Sequence, residues 1–334
     1  MNILVVGAGY WGPNIVRNLG SLTDIQKIGL VDLDLAKANA VAFRFPRVHV
    51  ESSFEAALKA GYEAAIIVTP VLTHAKLATQ ALEAGLHVLI EKPITRTVEE
   101  ANALIALAKR LDLRLMAGHV FHYKPAVRVM ADMIKRGEIG NVCYIDSVRV
   151  NLGLFRHDVN VLWDLAPHDL SIFEALLPGR APLRVSAKGA QHVPHPTHAQ
   201  ETMVYLTLDY GQDLIAHLHV NWFSPLKQRQ MVVAGDRRMI VYNDMDMNEP
   251  LRIYDCGTYD PVKDTPFYPQ IRTGDISIPY VTQQEPLSLQ LQEFIASIRE
   301  HREPETGGRA GVEVVRILEA AMHSLAQDGK VISL

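Results

Sequence analysis

The spacing of hydrophobic residues changes once along this chain. Up to about residue 118, short apolar runs alternate with segments in which apolar residues recur every three or four positions, most clearly from Val98 to Leu111. The apolar runs are Ile3–Val6, Ile25–Val31, Ala64–Val68, His87–Ile90 and Leu113–Ala117. Uniformly apolar runs are typical of strands buried on both faces, so this part predicts a parallel sheet with helices on both sides.

Beyond residue 118 the apolar runs follow one another with turn residues between them. They are Val142–Leu152, Thr202–Leu208, Leu214–Val220, Gln230–Val233 and Met239–Tyr242. Consecutive strands joined by short turns predict a mainly antiparallel sheet. Helical spacing recurs over Ala126–Arg136, Trp163–Leu177, Leu287–Arg299 and Gly311–Leu325. We therefore expect an α/β domain over residues 1–118 and an α+β domain over residues 119–334.

A glycine-rich turn follows the first predicted strand and precedes a helix. Gly7, Gly9 and Gly12 form a GxGxxG pattern, with Tyr10 and Trp11 between the last two glycines. The first glycine permits a tight turn, the second lets a pyrophosphate approach the backbone, and the third allows close packing of helix on strand. A glycine turn alone is weak evidence for a ligand. Its place between a strand and a helix predicts that the three glycines, together with Tyr10 and Trp11, bind a dinucleotide.

An acidic residue ends the second predicted strand. Asp32 lies twenty residues after Gly12 and is suited to accept hydrogen bonds from the hydroxyl groups of the adenosine ribose. A carboxylate repels a 2′-phosphate, and the following residues, Leu33 and Asp34, supply no cation. The sequence therefore favours NAD over NADP as the cofactor.

Composition narrows the class of protein further. The 334 residues are 48% hydrophobic and 21% charged, with a formal net charge of −4, so charge gives no support for binding nucleic acid or an anionic membrane. The two cysteines cannot form a disulfide framework, no basic-then-apolar leader precedes the first strand, and no apolar run reaches about 18 residues. We expect a cytoplasmic protein with reduced thiols.

A cluster of histidines raises the question of a metal. His192, His195 and His198 recur at three-residue spacing, but two intervening prolines indicate an irregular loop, and only Glu201 adds a further ligand type nearby. The sequence predicts no metal site there.

Polar residues follow two of the buried strands at the edge where ligands bind in such sheets. The strand that ends at Val68 continues into Thr69, Pro70 and, four residues later, His74. The strand that ends at Ile90 continues into Glu91, Lys92 and Pro93. A lysine at this edge is able to exchange protons with a substrate hydroxyl, although a solvent-exposed lysine after a strand is the common alternative.

A carboxylate and an imidazole share one face of a predicted helix in the second domain. Asp164 and His168 are four residues apart, and Pro167 between them suits a first helical turn. A carboxylate fixes the orientation of a neighbouring imidazole, and histidine is an effective general base near neutral pH. The pair is a candidate catalytic centre; a carboxylate near a helix N-terminus with an unrelated histidine is the simpler reading.

The order of these motifs resembles the Gfo/Idh/MocA oxidoreductase family, which includes glucose-fructose oxidoreductase and inositol dehydrogenase. The resemblance covers nearly the whole chain, through Gly307-Gly308 and Ala320-Ala321 near the end. It implies a Rossmann domain followed by an open-faced, mainly antiparallel sheet that commonly makes the oligomer contact, hence a homodimer or homotetramer. It also implies reversible oxidation of a secondary alcohol of a sugar or cyclitol.

The resemblance assigns roles to residues of this chain. The catalytic positions match Lys92, Asp164 and His168. The cofactor positions match Gly7, Gly9, Gly12, Asp32, Thr69, Pro70, His74 and Glu91, together with Lys92. Candidate substrate contacts beyond these matched positions are His119, His122, Tyr123, Arg156, Asn160 and Trp163; a solvated loop is the alternative for Arg156 and Asn160, and core packing is the alternative for Trp163.

The segment around residue 122 departs from the family pattern. Many members carry an arginine where this chain has His122; if that arginine touches the substrate, this contact is changed here. The segments that begin at Gly118 and Trp163 look most like members that oxidise C3 of a UDP-N-acetylhexosamine or its uronate. A cyclitol or free-sugar dehydrogenase, a reductase of an unsaturated ring and a regulatory NAD sensor without chemistry are the alternatives.

Overall fold

A computed structural model describes residues 1–153, 155–156, 158–193, 200–212, 214–258 and 271–334. Its contacts group the chain into two compact units. The first comprises Met1–Tyr123 and Gln284–Arg316, and the second comprises Lys124–Gln283 and Ile317–Leu334. The domain boundary expected at 118/119 stays a prediction, and the grouping adds a segment near the C-terminus to the N-terminal unit.

The first unit contains a six-stranded parallel sheet with the order β3-β2-β1-β4-β5-β6. Its strands are β1 (Asn2–Val6), β2 (Lys27–Val31), β3 (Val48–Val50), β4 (Ala64–Ile67), β5 (His87–Glu91) and β6 (Leu115–Gly118). The central strands are buried along almost their whole length, which explains their uniformly apolar sequences. The predicted parallel sheet is therefore confirmed.

Helices connect the parallel strands of the first unit. They are α1 (Gly12–Ser21), α2 (Leu35–Arg44), α3 (Phe54–Ala57), α4 (His74–Glu83) and α5 (Val98–Arg110). Helix α1 buries Ile15, Val16 and Leu19, the three residues that recur at helical spacing after the glycine turn. Ser53 and Thr97 cap α3 and α5 with hydroxyl groups that accept hydrogen bonds from the first turn.

Two segments outside this alternation complete the first unit. The polypeptide returns near its C-terminus as α8 (Pro286–Arg299), whose preceding residue Glu285 accepts hydrogen bonds from Arg17 and Asn18 of α1. Thr306 pairs with the edge strand β6, since Ala117 N–H donates to its carbonyl at 2.7 Å and its hydroxyl donates to the Ala117 carbonyl at 2.9 Å. The carboxyl edge of the sheet at β6 is thus held by a distant part of the chain.

The second unit is built on a nine-stranded sheet with the order β16-β13-β12-β11-β7-β10-β9-β8-β17. Five of its strands are β7 (Val142–Leu152), β8 (Arg184–Ala190), β9 (Met203–Asp209), β10 (Ile215–Asn221) and β11 (Phe223–Gly235). The remaining ones are β12 (Met239–Asn243), β13 (Leu251–Tyr254), β16 (Ile276–Ser277) and β17 (Ile332–Ser333), while β14 (Gly257–Thr258) and β15 (Ile271–Arg272) pair separately. The sheet is mostly antiparallel, as predicted.

Two helices, α6 (Pro125–Lys135) and α7 (Val161–Leu176), belong to the second unit, and α9 (Gly308–Ala326) begins in the first unit and ends in the second. Helix α7 packs on β7, β9 and β10. The apolar residues of α7 that this packing buries include Ile172 and Phe173. The opposite face of the same strands exposes Tyr144, Tyr205 and Ile215.

Three details of the second unit differ from the sequence-based expectation. Pro167 lies inside α7 rather than in its first turn, because the helix begins earlier, at Val161, with Asn160 as its N-cap. Strands β7 and β10 pair in parallel, because α7, β8 and β9 intervene between them along the chain. Strand β8 was not predicted from the sequence, because Ser186, Lys188 and Gly189 interrupt its apolar residues.

In the part of the chain that the structure describes, no helix is both long enough and apolar enough to cross a membrane.

Candidate functional site

The glycine turn after β1 is shaped by two close backbone approaches. Gly7 has a φ of 114°, a conformation that favours glycine, and a Cβ there would lie 3.0 Å from the Val68 carbonyl oxygen. A Cβ on Gly12 would lie 2.3 Å from the Gly7 carbonyl oxygen. Neither position tolerates a side chain, so the turn brings the start of α1 directly against the end of β1.

The space in front of this turn is open. A Cβ on Gly9 would meet no atom within 4 Å, and no described side chain caps the N-terminus of α1. The backbone N–H groups of a helix N-terminus and the helix dipole attract anions. Tyr10, 87% exposed, and Trp11 contact each other edge to face beside the same turn. Their contact with cofactor remains a prediction.

The carboxylate of Asp32 is held beside the glycine turn. One oxygen accepts a hydrogen bond from Ala8 N–H at 2.6 Å and the other from Asp34 N–H at 2.8 Å. Each carboxylate oxygen can accept a further hydrogen bond, so a ribose diol remains a suitable partner. Lys37, the nearest cation found in this loop and helix, forms a 3.5 Å ion pair with Asp34, whose side chain caps α2.

Two exposed leucines flank the glycine turn, and the sequence pattern did not single them out. Leu33 follows β2, and Leu72 lies in the 3₁₀ helix Val71–Thr73 after β4. Strands β2 and β4 both pair with β1, so the two leucines lie at the same edge on either side of the turn. They supply apolar surface suited to an adenine ring. In the sequence, the feature that could have revealed Leu33 is its place directly after Asp32, the acidic residue that follows β2.

The side chain of His74 joins the loops that follow β4 and β5. Its ring is 1% exposed, with Nδ1 2.9 Å from the Pro93 carbonyl oxygen and Nε2 2.8 Å from the Thr69 carbonyl oxygen. Burial lowers the pKa of His74, although the hydrogen bonds with these backbone carbonyls act to raise it. His74 thereby fixes the loops that contain Thr69, Pro70 and Lys92, while its direct contact with the cofactor stays a prediction.

Glu91 and Lys92 lie at the carboxyl end of β5. Burial raises the pKa of the Glu91 carboxyl to about 7, although the Lys92 ammonium and the Lys92 N–H, 3.2 Å away, oppose this rise. Gly118 of β6 makes room for the pair, because a Cβ there would lie 2.9 Å from the Glu91 Cα. Lys92, which is half-buried, is therefore the first residue of the loop after β5, and it follows the buried, ionisable Glu91.

The residue after β6 is another buried titratable group. His119 is 3% exposed, and its Nε2 has no hydrogen-bond partner among the described residues. Burial lowers the pKa of His119 to about 3, with further lowering by the charges of His122 and Lys92. A neutral imidazole with an open Nε2 near the Lys92 ammonium offers a hydrogen-bonding position to a ligand, which fits its predicted role in substrate binding.

Two further substrate candidates of the first unit contact the segment before α9. His122 Nε2 lies 3.5 Å from a carboxylate oxygen of Glu305, and Tyr123 is fully buried with its hydroxyl 3.0 Å from the Thr306 hydroxyl. Burial raises the pKa of Tyr123. Their contact with substrate stays a prediction, and Glu305 is an additional polar group that the sequence pattern did not reveal.

In the second unit, α7 carries Asp164 and His168 on one face, four residues apart as predicted. Trp222, which the sequence pattern did not single out, donates its indole N–H to an oxygen of Asp164 at 3.1 Å. The neighbouring Asp169 is buried and forms an ion pair with the buried Arg149 of β7, while Ser147 donates to it at 2.8 Å. This buried pair fixes α7 on the sheet and therefore the position of His168.

The remaining substrate candidates surround the start of α7. Asn160 is the N-cap: its side-chain oxygen accepts from Trp163 N–H at 3.1 Å and its amide donates to Glu201 at 2.7 Å. Arg156 makes two hydrogen bonds to Asp158, and those bonds and the charge of Asp164 raise the pKa of Arg156. The contacts of Arg156, Asn160 and Trp163 with substrate stay predictions.

The geometry contains no metal centre in the described part of the chain, where no three His, Cys, Asp or Glu residues are grouped as ligands. His192 contacts Thr202 through Nδ1 at 3.1 Å. His195 and His198 lie outside the described residues.

Comparison with known protein families decides the class of this protein. Residues 1–119 match the model described as the oxidoreductase family with an NAD-binding Rossmann fold, and residues 127–241 match the Gfo/Idh/MocA C-terminal domain. The chain belongs to the Gfo/Idh/MocA family. It is an NAD-binding oxidoreductase, a dehydrogenase that acts on CH–OH groups.

Relatives of this Gfo/Idh/MocA protein act on different alcohols. It is 30% identical over 322 residues to UDP-N-acetylglucosamine 3-dehydrogenase of Acidithiobacillus ferrooxidans, covering 95% of this chain and 94% of the relative. A solved structure of that enzyme superposes with a TM-score of 0.81 at 25% identity over 98% of both chains. Inositol 2-dehydrogenase of Corynebacterium glutamicum is 23% identical over 227 residues, 66% of this chain and 67% of the relative.

We predict that replacing Asp32 relaxes the cofactor preference of this family member. Asp32→Ala removes the ribose acceptor and the charge that repels a 2′-phosphate, so NAD affinity should fall while NADP affinity should rise. Fluorescence titration with both dinucleotides measures the change, and Asp24→Ala, an acid at the surface of the same unit, serves as the control. Equal or tighter binding of NADP by the wild-type protein would contradict the argument from Asp32.

We also predict that Glu91 destabilises the fold at alkaline pH. Its pKa is about 7 in the folded state and 4.5 in a model peptide, so the folded state binds more protons between these values. Stability is therefore lost as pH rises from 4.5 through 7, by roughly 3 kcal/mol. Glu91→Gln should raise the free energy of unfolding by about that amount at pH 8 and by little at pH 4.5.

Urea unfolding of the cofactor-free protein at both pH values tests this prediction. Glu99→Gln, a surface residue of α5, controls for the loss of one charge. An equal effect of Glu91→Gln at pH 4.5 and pH 8 would show that ionisation of this carboxylate is not what destabilises the protein.

Proposed function

We propose that this Gfo/Idh/MocA protein oxidises a secondary hydroxyl, at C3, of a UDP-N-acetylhexosamine or its uronate and transfers the hydride to NAD. The observation that carries the proposal is the full-length match to a UDP-N-acetylglucosamine 3-dehydrogenase at 30% identity. The match to an inositol dehydrogenase is less similar and covers two thirds of the chain. Residues 1–118 form the NAD-binding domain in this proposal, and residues 119–334 bind the sugar.

The cofactor site in this proposal is the glycine turn with Asp32. The residues present fit the group, because Gly7 and Gly12 leave no room for side chains and the space before Gly9 is open. Bound NAD supplies the acceptor for the hydride. The chain contributes phosphate contacts from the start of α1 and ribose contacts from Asp32.

The chain's own catalytic groups then handle the proton of the hydroxyl. His168 takes this proton as the general base, and Asp164, one helical turn earlier, orients the imidazole and stabilises its charged form. The ammonium of Lys92 donates a hydrogen bond to the reacting oxygen, where negative charge develops as the proton leaves. These three roles follow the family resemblance at the residues that match its motifs.

Oxidation of a cyclitol or free sugar is the second candidate. The inositol dehydrogenase relatives favour it, and His122 stands where many family members have an arginine, which changes a substrate contact if that arginine touches the substrate. The buried, ionisable groups at Glu91 and His119 fit a reaction site better than a sensor that only binds NAD.

A substrate panel separates these candidates. The formation of NADH is followed by absorbance with UDP-N-acetylglucosamine, its uronate, UDP-glucose, free N-acetylglucosamine and myo-inositol. We expect turnover with one of the first two substrates and at least about 100-fold lower kcat/KM with the free compounds, since they lack the diphosphate binding contacts. Preferred turnover of myo-inositol would refute the nucleotide-sugar assignment while preserving the dehydrogenase assignment.

We further propose that the exposed face of the nine-stranded sheet makes a homodimer or homotetramer. Tyr144 and Ile215 are paired neighbours on this face, and farther along it the exposed ring of Tyr205 stacks on His219. Contiguous apolar surface of this kind marks an interaction site. Tyr205→Glu should dissociate the assembly in sedimentation velocity, whereas Phe43→Glu, at an exposed position in the first unit, should not; a monomeric wild-type protein would refute the proposal.

A further inference from the structure

Trp222 is a buried residue that contacts the candidate catalytic centre directly. Its side chain is 2% exposed, and its indole N–H donates to Asp164 Oδ2 at 3.1 Å. Its backbone is fixed on both sides, with its N–H donating to the Thr202 carbonyl at 2.9 Å and its carbonyl accepting from Gly153 N–H at 3.0 Å. The indole is therefore a rigid donor aimed at a carboxylate.

We propose that Trp222 is a positioning residue that sets the orientation of the Asp164 carboxylate, and through it that of His168. This inference rests on the proposed function, in which Asp164 and His168 handle the substrate proton. A buried tryptophan that only fills space needs any acceptor for its N–H, and a backbone carbonyl would satisfy it. Here the acceptor is a side chain of the candidate centre.

The chemistry of the donor matters as much as its position. A neutral N–H stabilises the carboxylate as an anion without neutralising it, so Asp164 keeps the negative charge that supports an imidazolium at His168. A cationic donor in the same place would offset that charge. Holding one oxygen of the carboxylate also restricts rotation about the Cβ–Cγ bond, which fixes the plane that the other oxygen occupies.

The surroundings of Trp222 connect this orientation to the loop before α7. The ring of Phe155 packs edge to face on the indole, with centroids 6.1 Å apart and an interplanar angle of 84°. The next residue, Arg156, is a substrate candidate, and its pKa is raised partly by the charge of Asp164. One indole therefore contacts both the candidate catalytic carboxylate and the aromatic residue that precedes Arg156.

A double-mutant cycle tests the proposal. Trp222→Phe keeps an aromatic ring and removes the N–H donor, and it should lower kcat with UDP-N-acetylglucosamine about 10-fold while KM and the NAD dissociation constant change less than about twofold. In an Asp164→Asn background the same substitution should have no further effect on kcat, because its effect passes through that carboxylate. An equal loss in both backgrounds, or no loss in either, overturns the proposal.

The indole resonances provide a readout that does not depend on activity. The protein has three tryptophans, so ¹H–¹⁵N spectra show three indole N–H signals that Trp→Phe variants assign. The Trp222 signal should shift in Asp164→Asn and stay in place in Asp132→Asn, an exposed acid on α6. An unmoved signal in Asp164→Asn would overturn the contact itself, whereas a moved signal in an Asp164→Asn variant that keeps full activity would refute the proposed function alone.

Discussion

Lys92→Ala should reduce turnover by roughly 100- to 1,000-fold, which corresponds to about 3 to 4 kcal/mol in the activation barrier. The ammonium group interacts most strongly with the substrate oxygen when negative charge develops there, so it stabilises the transition state more than the bound substrate. In the proposed site NAD is held chiefly by the glycine turn and Asp32, so we expect its dissociation constant to change only a few-fold. Steady-state kinetics and NAD titration measure the two quantities separately.

The structure supplies a matched control for this lysine. Lys76 is exposed on α4 in the same unit, and Lys76→Ala should leave both turnover and NAD affinity unchanged. A large loss of NAD affinity in Lys92→Ala, with turnover kept at saturating cofactor, would make Lys92 a binding residue. The catalytic assignment of the Glu91-Lys92-Pro93 turn would then have to be withdrawn.

His168→Asn should abolish the rise of kcat/KM with pH across the neutral range and lower the rate at pH 8 by roughly 100- to 10,000-fold. A general base must be deprotonated to accept the hydroxyl proton, so activity increases as the imidazole loses its proton. His323→Asn, at an exposed position on α9, is the control. A pH profile that is flat in the wild-type protein, with chemistry limiting the rate, would contradict the assignment.

Glu91 is a second group that titrates in this range, since its pKa is about 7. The pH profile of Glu91→Gln therefore distinguishes the two residues. If His168 is the base, the rise with pH persists in Glu91→Gln and disappears in His168→Asn. If the increase of kcat/KM with pH is lost in Glu91→Gln but kept in His168→Asn, the titrating group is the Glu91 carboxyl at the end of β5.

The fold was largely predictable because its main signals are local. The buried strands of the first unit carry uniformly apolar residues, and the glycine turn stands between a strand and a helix, so both are visible in a short window. Strand β7 extends from Val142 to Leu152, the range that the sequence predicts. The failures had weaker local signals. Strand β3 has only three residues, and Pro167 lies inside α7 although a proline is usual in a first helical turn.

The site was less predictable because several of its parts come from distant segments. Trp222 lies 58 residues after Asp164, and only the pairing of β10 and the docking of α7 bring them together. Glu305 lies near His122 because the segment around Thr306 pairs with β6. No sequence pattern near Glu305 or His122 indicates this pairing. The sequence likewise gave no reason to expect that both ring nitrogens of His74 would face backbone carbonyls of two successive loops.

The most direct test of the proposed activity follows the hydrogen on C3 of the sugar. UDP-N-acetylglucosamine and its uronate, each carrying deuterium at C3, are incubated with the enzyme and NAD, and the dinucleotide product is weighed by mass spectrometry. We predict that one of the two substrates yields reduced cofactor that contains one deuterium atom. Unlabelled NADH from both, or no NADH from either while free polyols are oxidised, would contradict oxidation at C3 of a nucleotide sugar.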